Sequence, residues 1–383
     1  MKKVYFPNLN GIRFIAAFLV IIHHIEQFKN IYGLPGCWNN KTIQIIGGLG
    51  VTLFFVLSGF LITYMLFVEK EHVGTIDVKG FYVRRILRIW PLYFFIVILA
   101  FFLLPNFNQL DIPRWSIYLS NEFTTKLILF IAFLPNAAIL LYPPVPFASQ
   151  LWSIGVEEQF YVVWPVLIKL FKNPLILLFS IVVIYWLIKI LIHNILQNNQ
   201  AGSFNFSVQF IKAFMELTRI NCMAIGGIGA YLLFEKKYKL LNFLYSTFFQ
   251  ISIYISLFVL IGLDLNIPYL NDEIYSILFM ILIINLSSNE STVISLNNKI
   301  FDYLGKISYG LYMYHPLAIV ISILSFMTMA AGTAYYAYSN FLIYFLSIVT
   351  TIFLSAFSYE FFEKFFIKKK ISFSKIISGE NAR

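Results

Sequence analysis

The stretch GIRFIAAFLVIIHHIEQF, residues 11 to 28, decides what kind of protein this is. It is long and apolar enough for a membrane span, which needs about 20 such residues. It also carries Arg13, His23, His24 and Glu26. An ionisable group inside a span costs roughly 2.5–3.5 kcal/mol on insertion scales, so each such residue is a functional candidate. Arg13 and His24 are eleven positions apart. On an α-helix that is three turns plus about 20°, so the two share one face, separated by about 16 Å along the axis. One stripe then holds a fixed cation near one membrane surface and a titratable imidazole toward the other. His23 lies about 80° away from Arg13. Arg13 is equally the residue type that anchors a helix at the headgroups, with the histidines capping its outer end.

The rest of the chain agrees with a membrane reading. Of its 383 residues, 60% are hydrophobic, 19% aromatic and only 12% charged, and the mean hydropathy is +0.79. Soluble domains are about a quarter charged. A net charge of +10 suggests nucleic acid until the basic residues are located. They stand in short clusters between apolar runs, as topology signals do, so no nucleic-acid partner is expected. Cys37 and Cys222 have neither metal-ligand spacing nor the placement for a disulfide, and no metal is expected. Lys2 and Lys3 before an apolar run resemble a signal peptide, but no A-x-A site follows, which leaves a retained first helix.

Apolar runs near 10–28, 44–67, 84–104, 126–142, 151–171, 173–193, 209–233, 242–263, 273–287, 303–329 and 340–362 are candidate spans. Loops such as GLPGCWNNK, LYPPVPFASQ and DLNIPYLND separate them. Basic residues concentrate in cytoplasmic loops. With the N-terminus inside, Lys70, Lys79, Arg84, Arg85 and Arg88 face the cytoplasm. If the run at 126–142, broken by Pro135 and Asn136, enters without crossing, three later clusters face inward too: Lys169 and Lys172, Lys236 to Lys239, and Lys364 to Lys370. If it crosses, those three face outward. The expectation is an all-α integral membrane protein with about ten transmembrane helices, both termini cytoplasmic, and a re-entrant or interfacial segment near 126–142. Residues 1–366 are expected to form the membrane domain and 367–383 a basic cytoplasmic tail.

Three further motifs carry polar groups into the membrane. In FYVRRILRIWPLY (81–93), Arg85 and Arg88 are i, i+3 neighbours and Arg84 and Arg88 are i, i+4 neighbours. A guanidinium fork matches phosphate oxygens; arginine runs at the inner surface also serve as topology signals. In QLWSIGVEEQFYVVWP (150–165), Glu157 and Glu158 differ by about 100°, while Ser153 and Glu157 share a face. Glu157 lies roughly 10 Å into the helix, a depth compatible with His24. An acid there also suits neutralising an intramembrane arginine. In FDYLGKISYGLYMYHPLAIV (301–320), Ser308, Tyr312 and His315 form a polar stripe on an apolar helix. A hydrogen-bonded core histidine is the ordinary explanation of a residue such as His315.

NGIRFIAAFLVIIHH, GVTLFFVLSGFLIT, FYVRRILRIWPLYF, LWSIGVEEQFYVVWP, GKISYGLYMYHP and FSYEFFEK occur in that order. Together, from Asn10 to about Lys364, they resemble the acyltransferase 3 family of integral-membrane acyltransferases. The resemblance implies a ten-helix domain of a bacterial cytoplasmic membrane. It would move an acyl group, commonly acetyl, from cytoplasmic acyl-CoA to a hydroxyl of a surface or cell-wall glycan. Acyl-CoA is then a co-substrate, and no cofactor is bound permanently. The family's arginine, ten residues and histidine pattern falls on Arg13 and His24, and its R-x-x-R pattern on Arg85 and Arg88. Its W-S-x-x-x-E-x-x-F-Y pattern falls on Trp152, Ser153, Glu157, Phe160 and Tyr161. On this basis His24 is the expected base that activates the acceptor hydroxyl, with Glu157 orienting it. Arg13, Arg85 and Arg88 are expected to hold the acyl-CoA phosphates, and Ser153, Glu158, Tyr312 and His315 to support the site.

Two positions depart from the pattern. Thr52 stands where many members have an acid, and Glu363 is followed by Lys364 and Phe365 instead of x-Pro. The chain stops shortly after the last span, so no appended esterase-like domain is expected. The competing reading is a transporter or flippase of a lipid-linked sugar, which also needs polar groups at mid-membrane. A structural scaffold would leave the aligned polar groups without a purpose.

Overall fold

Backbone inside a bilayer has to satisfy its own hydrogen bonds, so apolar runs of this length become helices. The computed structural model describes residues 2–198, 203–265, 267, 269–330 and 339–378. In chain order the helices are α1 (Leu9–Ile31), α2 (Lys41–Val73), α3 (Val78–Ile98), α4 (Phe123–Ile131), α5 (Pro135–Leu141), α6 (Leu151–Leu170), α7 (Pro174–Asn198) and α8 (Ser203–Thr218). They continue with α9 (Ile220–Phe234), α10 (Tyr238–Tyr245), α11 (Thr247–Gly262), α12 (Asn271–Ser288), α13 (Lys299–Lys306), α14 (Ser308–Ala330), α15 (Ser339–Ser358) and α16 (Lys364–Lys370). Local chemistry sets their ends. The Asn40 side chain accepts the Thr42 N–H at 2.8 Å to start α2. The helix stops at Gly74, which takes the left-handed region (φ 80°) and donates its N–H to the Lys70 carbonyl at 2.9 Å.

The all-α membrane architecture is the expected one. Among the described residues, seven helices qualify as spans by length and composition, or eight counting the α10–α11 pair, which is bent by 65°. Helices α6 and α12, with 20 and 18 residues, are also long enough to cross. They carry buried polar residues along their length, including Ser153, Glu158, Glu273 and Asn285. No single helix covers 126–142. Helices α4 and α5 have 9 and 7 residues, about 14 and 11 Å, and are too short to cross. Phe133 between them has φ 57°, and the Gln159 side chain satisfies its carbonyl at 2.8 Å. Irregular backbone at depth needs such a protein partner.

Three expected spans are interrupted; the run at 209–233 divides at Arg219 (φ 42°), between α8 and α9. The run at 303–329 divides at Ile307 because α13 lies against α1; a Cβ on Gly305 would strike the Asn10 backbone. The run at 242–263 turns at Ser246, where the Tyr245 carbonyl is taken by the side chains of Gln250 and Asn289. At the other end, α15 passes through a π turn (Tyr359–Glu363) into α16. The chain then folds back, so that β2 (Ile377–Ser378) pairs in parallel with β1 (Lys3–Val4).

Helix α2 sits at the centre, against α1, α6, α9 and α12. Its approach to α9 depends on two reciprocal glycines: Gly59 faces the Met223 carbonyl and Gly226 faces the Val56 carbonyl. A methyl group at Gly226 overpacks this contact, which costs about 1–3 kcal/mol. Gly226→Ala should therefore lower the melting temperature of the detergent-solubilised protein. Gly48→Ala, where nothing lies within 4 Å of the added Cβ, should not. Equal melting temperatures would show that α2 and α9 do not approach so closely.

Candidate active site

Residues of α1, α2, α3, α6 and α14 converge on one cavity with about 2100 Å³ of empty space, open mouth included. The chain ends close one side of it, through Val4 and Ile376. Among the described residues, six cationic side chains line the cavity (Arg13, Arg84, Arg85, Arg88, Lys306 and Lys370) against two carboxylates, Glu69 and Glu157. Both carboxylates are committed. Glu69 pairs with Arg84 at 2.9 Å and accepts the Asp77 N–H at 2.9 Å. Glu157 accepts from Ser58 Oγ at 2.7 Å and from the Tyr161 hydroxyl at 3.1 Å. Arg13 Nη1 donates to Asn10 Oδ1 at 2.8 Å. Arg85 lies 5.5 Å from the Phe81 ring centre and 5.6 Å from that of Tyr161, and its buried Nε has no hydrogen-bond partner. No described acid forms an ion pair with Arg85 or Arg88. Guanidiniums left in this condition select an anion with several oxygens.

At the end away from the chain termini, Ser153 Oγ and the Tyr312 hydroxyl are 2.7 Å apart, and the Tyr312 hydroxyl also donates to the Gln150 carbonyl at 3.1 Å. Beyond this pair stand two histidines that do not line the cavity. The ring centres of Tyr312 and His315 are 5.7 Å apart, and those of His315 and His24 are 4.8 Å apart. His24 Nδ1 is 2.9 Å from the Val20 carbonyl and His315 Nδ1 is 2.7 Å from the Tyr312 carbonyl. A carbonyl only accepts, so Nδ1 carries the proton in both rings and each Nε2 presents a lone pair. The Nε2 of His315 is buried without a partner. His23 meets the His24 ring edge-on, centres 5.0 Å apart, but its Nδ1 lies 2.9 Å from the Ile43 carbonyl and its ring also packs against Trp38.

The residues picked out in the sequence thus divide into groups. Arg13, Arg85, Arg88, Ser153, Glu157, Ser308 and Tyr312 share the cavity. His24 and His315 meet behind its Ser153–Tyr312 end. The expected pairing of Glu157 with His24 does not form. The matching depth along two helices placed both inside the membrane, but Ser153 and Tyr312 stand between them, and the Val20 carbonyl orients the histidine. Glu158 points to α3, where Trp90 Nε1 donates to it at 2.8 Å. Thr52 accepts from Arg219 Nη1 at 2.8 Å, and Asp272 lies 3.7 Å from the same guanidinium. Ser58 joins the site through its bond to Glu157, and its signal in the sequence is a serine within the apolar run VLSGF. Lys370 carries in the sequence only the signal of a basic topology cluster, because its place in the cavity depends on the tail folding back.

The family described as "Acyltransferase domain" matches residues 6–360. A Staphylococcus aureus (strain COL) protein provisionally named an O-acetyltransferase is 27% identical over 97% of this chain and 58% of its own length. The O-acetyltransferase OatA of S. aureus (strain MRSA252) is 26% identical over 97% of this chain and 61% of its length. The peptidoglycan O-acetyltransferase OatA of Listeria monocytogenes is 31% identical over 46% of this chain and 27% of its length. The chain therefore spans about three-fifths of the length of the relatives it matches end to end. No solved structure matches it.

The surplus of cations predicts anion binding in the absence of any reaction. Pyrophosphate at ten times its Kd should stabilise the purified protein by roughly 1.4 kcal/mol, read as a rise in melting temperature. Chloride at matched ionic strength should not do so. The rise should vanish in an Arg85→Ala, Arg88→Ala double variant; its persistence there would move the anion site elsewhere.

Proposed function

The chain belongs to the acyltransferase domain family, and from that premise we propose that it moves an acetyl group from cytoplasmic acyl-CoA to a hydroxyl of a cell-wall glycan such as peptidoglycan. The observation that carries this reading is one arrangement of charge and base. Unpaired Arg85 and Arg88, with Arg13, lie on one side of the Ser153–Tyr312 contact, and the His24–His315 pair lies on the other. The arginines hold the donor's phosphates. The pantetheine arm spans the distance from Arg13 to His24, about 16 Å along α1. The acceptor hydroxyl meets the thioester at His24, whose Nε2 takes its proton as the oxygen attacks the carbonyl carbon. The C–S bond breaks, and the departing coenzyme A sulfur receives that proton. His315 packs beside the imidazole and fixes its position. Both chain termini then face the cytoplasm, in keeping with the basic clusters at Arg84–Arg88 and Lys364–Lys370.

Loss of a general base costs about 10²–10⁴-fold. Acetyl transfer by His24→Ala in membrane vesicles should fall by that order with the protein still inserted. His23→Ala should be much milder, because its ring serves the Ile43 carbonyl and Trp38. An inactive His23 variant beside an active His24 variant would overturn the assignment of the base. A C-terminal tag should be reached by protease only from the cytoplasmic face, and access from the opposite face would overturn the orientation.

A further inference from the structure

The C-terminal segment takes part in the cavity. Ile367, Lys370, Ser374 and Ile376 all line it. The segment is held in place three times over: Arg84 Nη1 donates to the Phe373 carbonyl at 2.8 Å, Ile376 is buried, and Ile377–Ser378 pair with Lys3–Val4. Arg84 is not available to a ligand, because Glu69 already holds it at 2.9 Å. Lys370 differs. It forms no ion pair with a described residue, and it shares the cavity with Arg13, Arg85 and Arg88. Like charges confined in this way repel one another unless an anion completes the cluster.

The order of groups along the cavity says which anion. Coenzyme A is a linear molecule that carries charge in two places: a diphosphate beside the pantetheine arm and a monophosphate on the ribose. With the thioester at the Ser153–Tyr312 end, the diphosphate falls to the arginines of α1 and α3. The ribose phosphate then falls on the side of the folded-back segment, which is fixed to Arg84 near the start of α3 and to Lys3–Val4 and carries Lys370 and the Ser374 hydroxyl into the cavity. A lysine ammonium is a point charge that suits a monophosphate, whereas the guanidinium forks suit the diphosphate. We infer that Lys370 binds the ribose 3′-phosphate of the donor, and that the folded-back C-terminal segment presents it. This rests on acyl-CoA being the donor.

The test compares acetyl-CoA with acetyl-3′-dephospho-CoA, measuring Kd on the full chain in lipid nanodiscs. Wild type should prefer acetyl-CoA by about tenfold or more, as a charge-assisted contact provides. Lys370→Met should bind acetyl-CoA about tenfold more weakly, with the dephospho compound unchanged, so that the preference disappears. Lys370→Arg should keep most of it. If the preference survives in the Met variant, or wild type has none, the inference is wrong. Equal weakening of both donors also overturns it. That result would assign Lys370 to holding the segment in place or to a lipid headgroup phosphate. If neither compound binds wild type, the acyl-CoA reading itself fails, which is a different outcome from any of these.

Discussion

A cation inside a bilayer must be given a counter-charge, water or a ligand, and this chain sorts its cations by which of these each receives. Lys29 has Glu26 at 2.5 Å, both almost fully buried, and its ammonium also reaches Asn340 at 2.6 Å. Lys189 has Asp272 and Glu273, each at 3.1 Å, and Arg219 has Thr52 and Asp272. These are closed networks that join one helix to another, and removing one member would strand a buried charge. Arg85 and Arg88 are left open, on the wall of the cavity shared by α1, α2, α3, α6 and α14. The contrast separates cations that build the fold from cations that wait for something outside it. The donor reading rests on that difference more than on the number of arginines.

Much of this is legible in the sequence. The all-α membrane architecture follows from apolar run length alone, and the failure of 126–142 to cross follows from Pro135, Asn136 and the sign of the loops. The common cavity of Ser153 and Glu157 was visible as an i, i+4 relation. What helix counting did not supply was contact between helices. It gave His24 and Glu157 a similar depth, but depth is one coordinate, and azimuth and crossing angle decide who meets whom. His315 went to His24 because α14 packs on α1. Glu157 went to Ser58 because α6 packs on α2. The breaks at Ser246 and Ile307 escaped detection because side-chain amides and a glycine contact, not helix-breaking prolines, produce them. Lys370 was hidden for a further reason: a basic tail reads as a topology signal whether or not it folds back.

The orientation of His24 also has a physical logic. In a soluble triad a carboxylate fixes the tautomer of the base and stabilises the cation that forms. Here a carbonyl of the same helix fixes the tautomer, and the same device recurs at His315. A carbonyl brings no net charge into a low-dielectric layer, so the resting site avoids the desolvation of a buried carboxylate. A backbone carbonyl is also set by the helix itself and cannot be lost by a side-chain rotation. In the proposed reaction the stabilisation it would give an imidazolium is smaller, and the neighbouring His315 ring, 4.8 Å away centre to centre with its Nε2 buried and unpartnered, is an acceptor in the same locality.

Between the cavity and the histidines stands the contact of Ser153 with Tyr312, and under the proposed acyl transfer its chemistry fits a barrier that has to be crossed. An open passage from the chain-end mouth to His24 would admit water to the thioester and ions through the membrane. An apolar plug would seal as well, but it offers nothing to an arriving thioester. Two hydroxyls at 2.7 Å, with the Gln150 carbonyl at 3.1 Å, seal the end with neutral groups. A hydrogen bond of this kind is worth only about 0.5–1.5 kcal/mol net, so it parts cheaply when a ligand offers replacement partners. A thioester carbonyl is such a partner. Binding energy from the phosphates at the far end is then available to open the contact, and it is available only when a donor is in place. Under the proposed acyl-CoA reading, the arginines and Lys370 would then do more than hold the donor: they would couple its arrival to the parting of Ser153 and Tyr312.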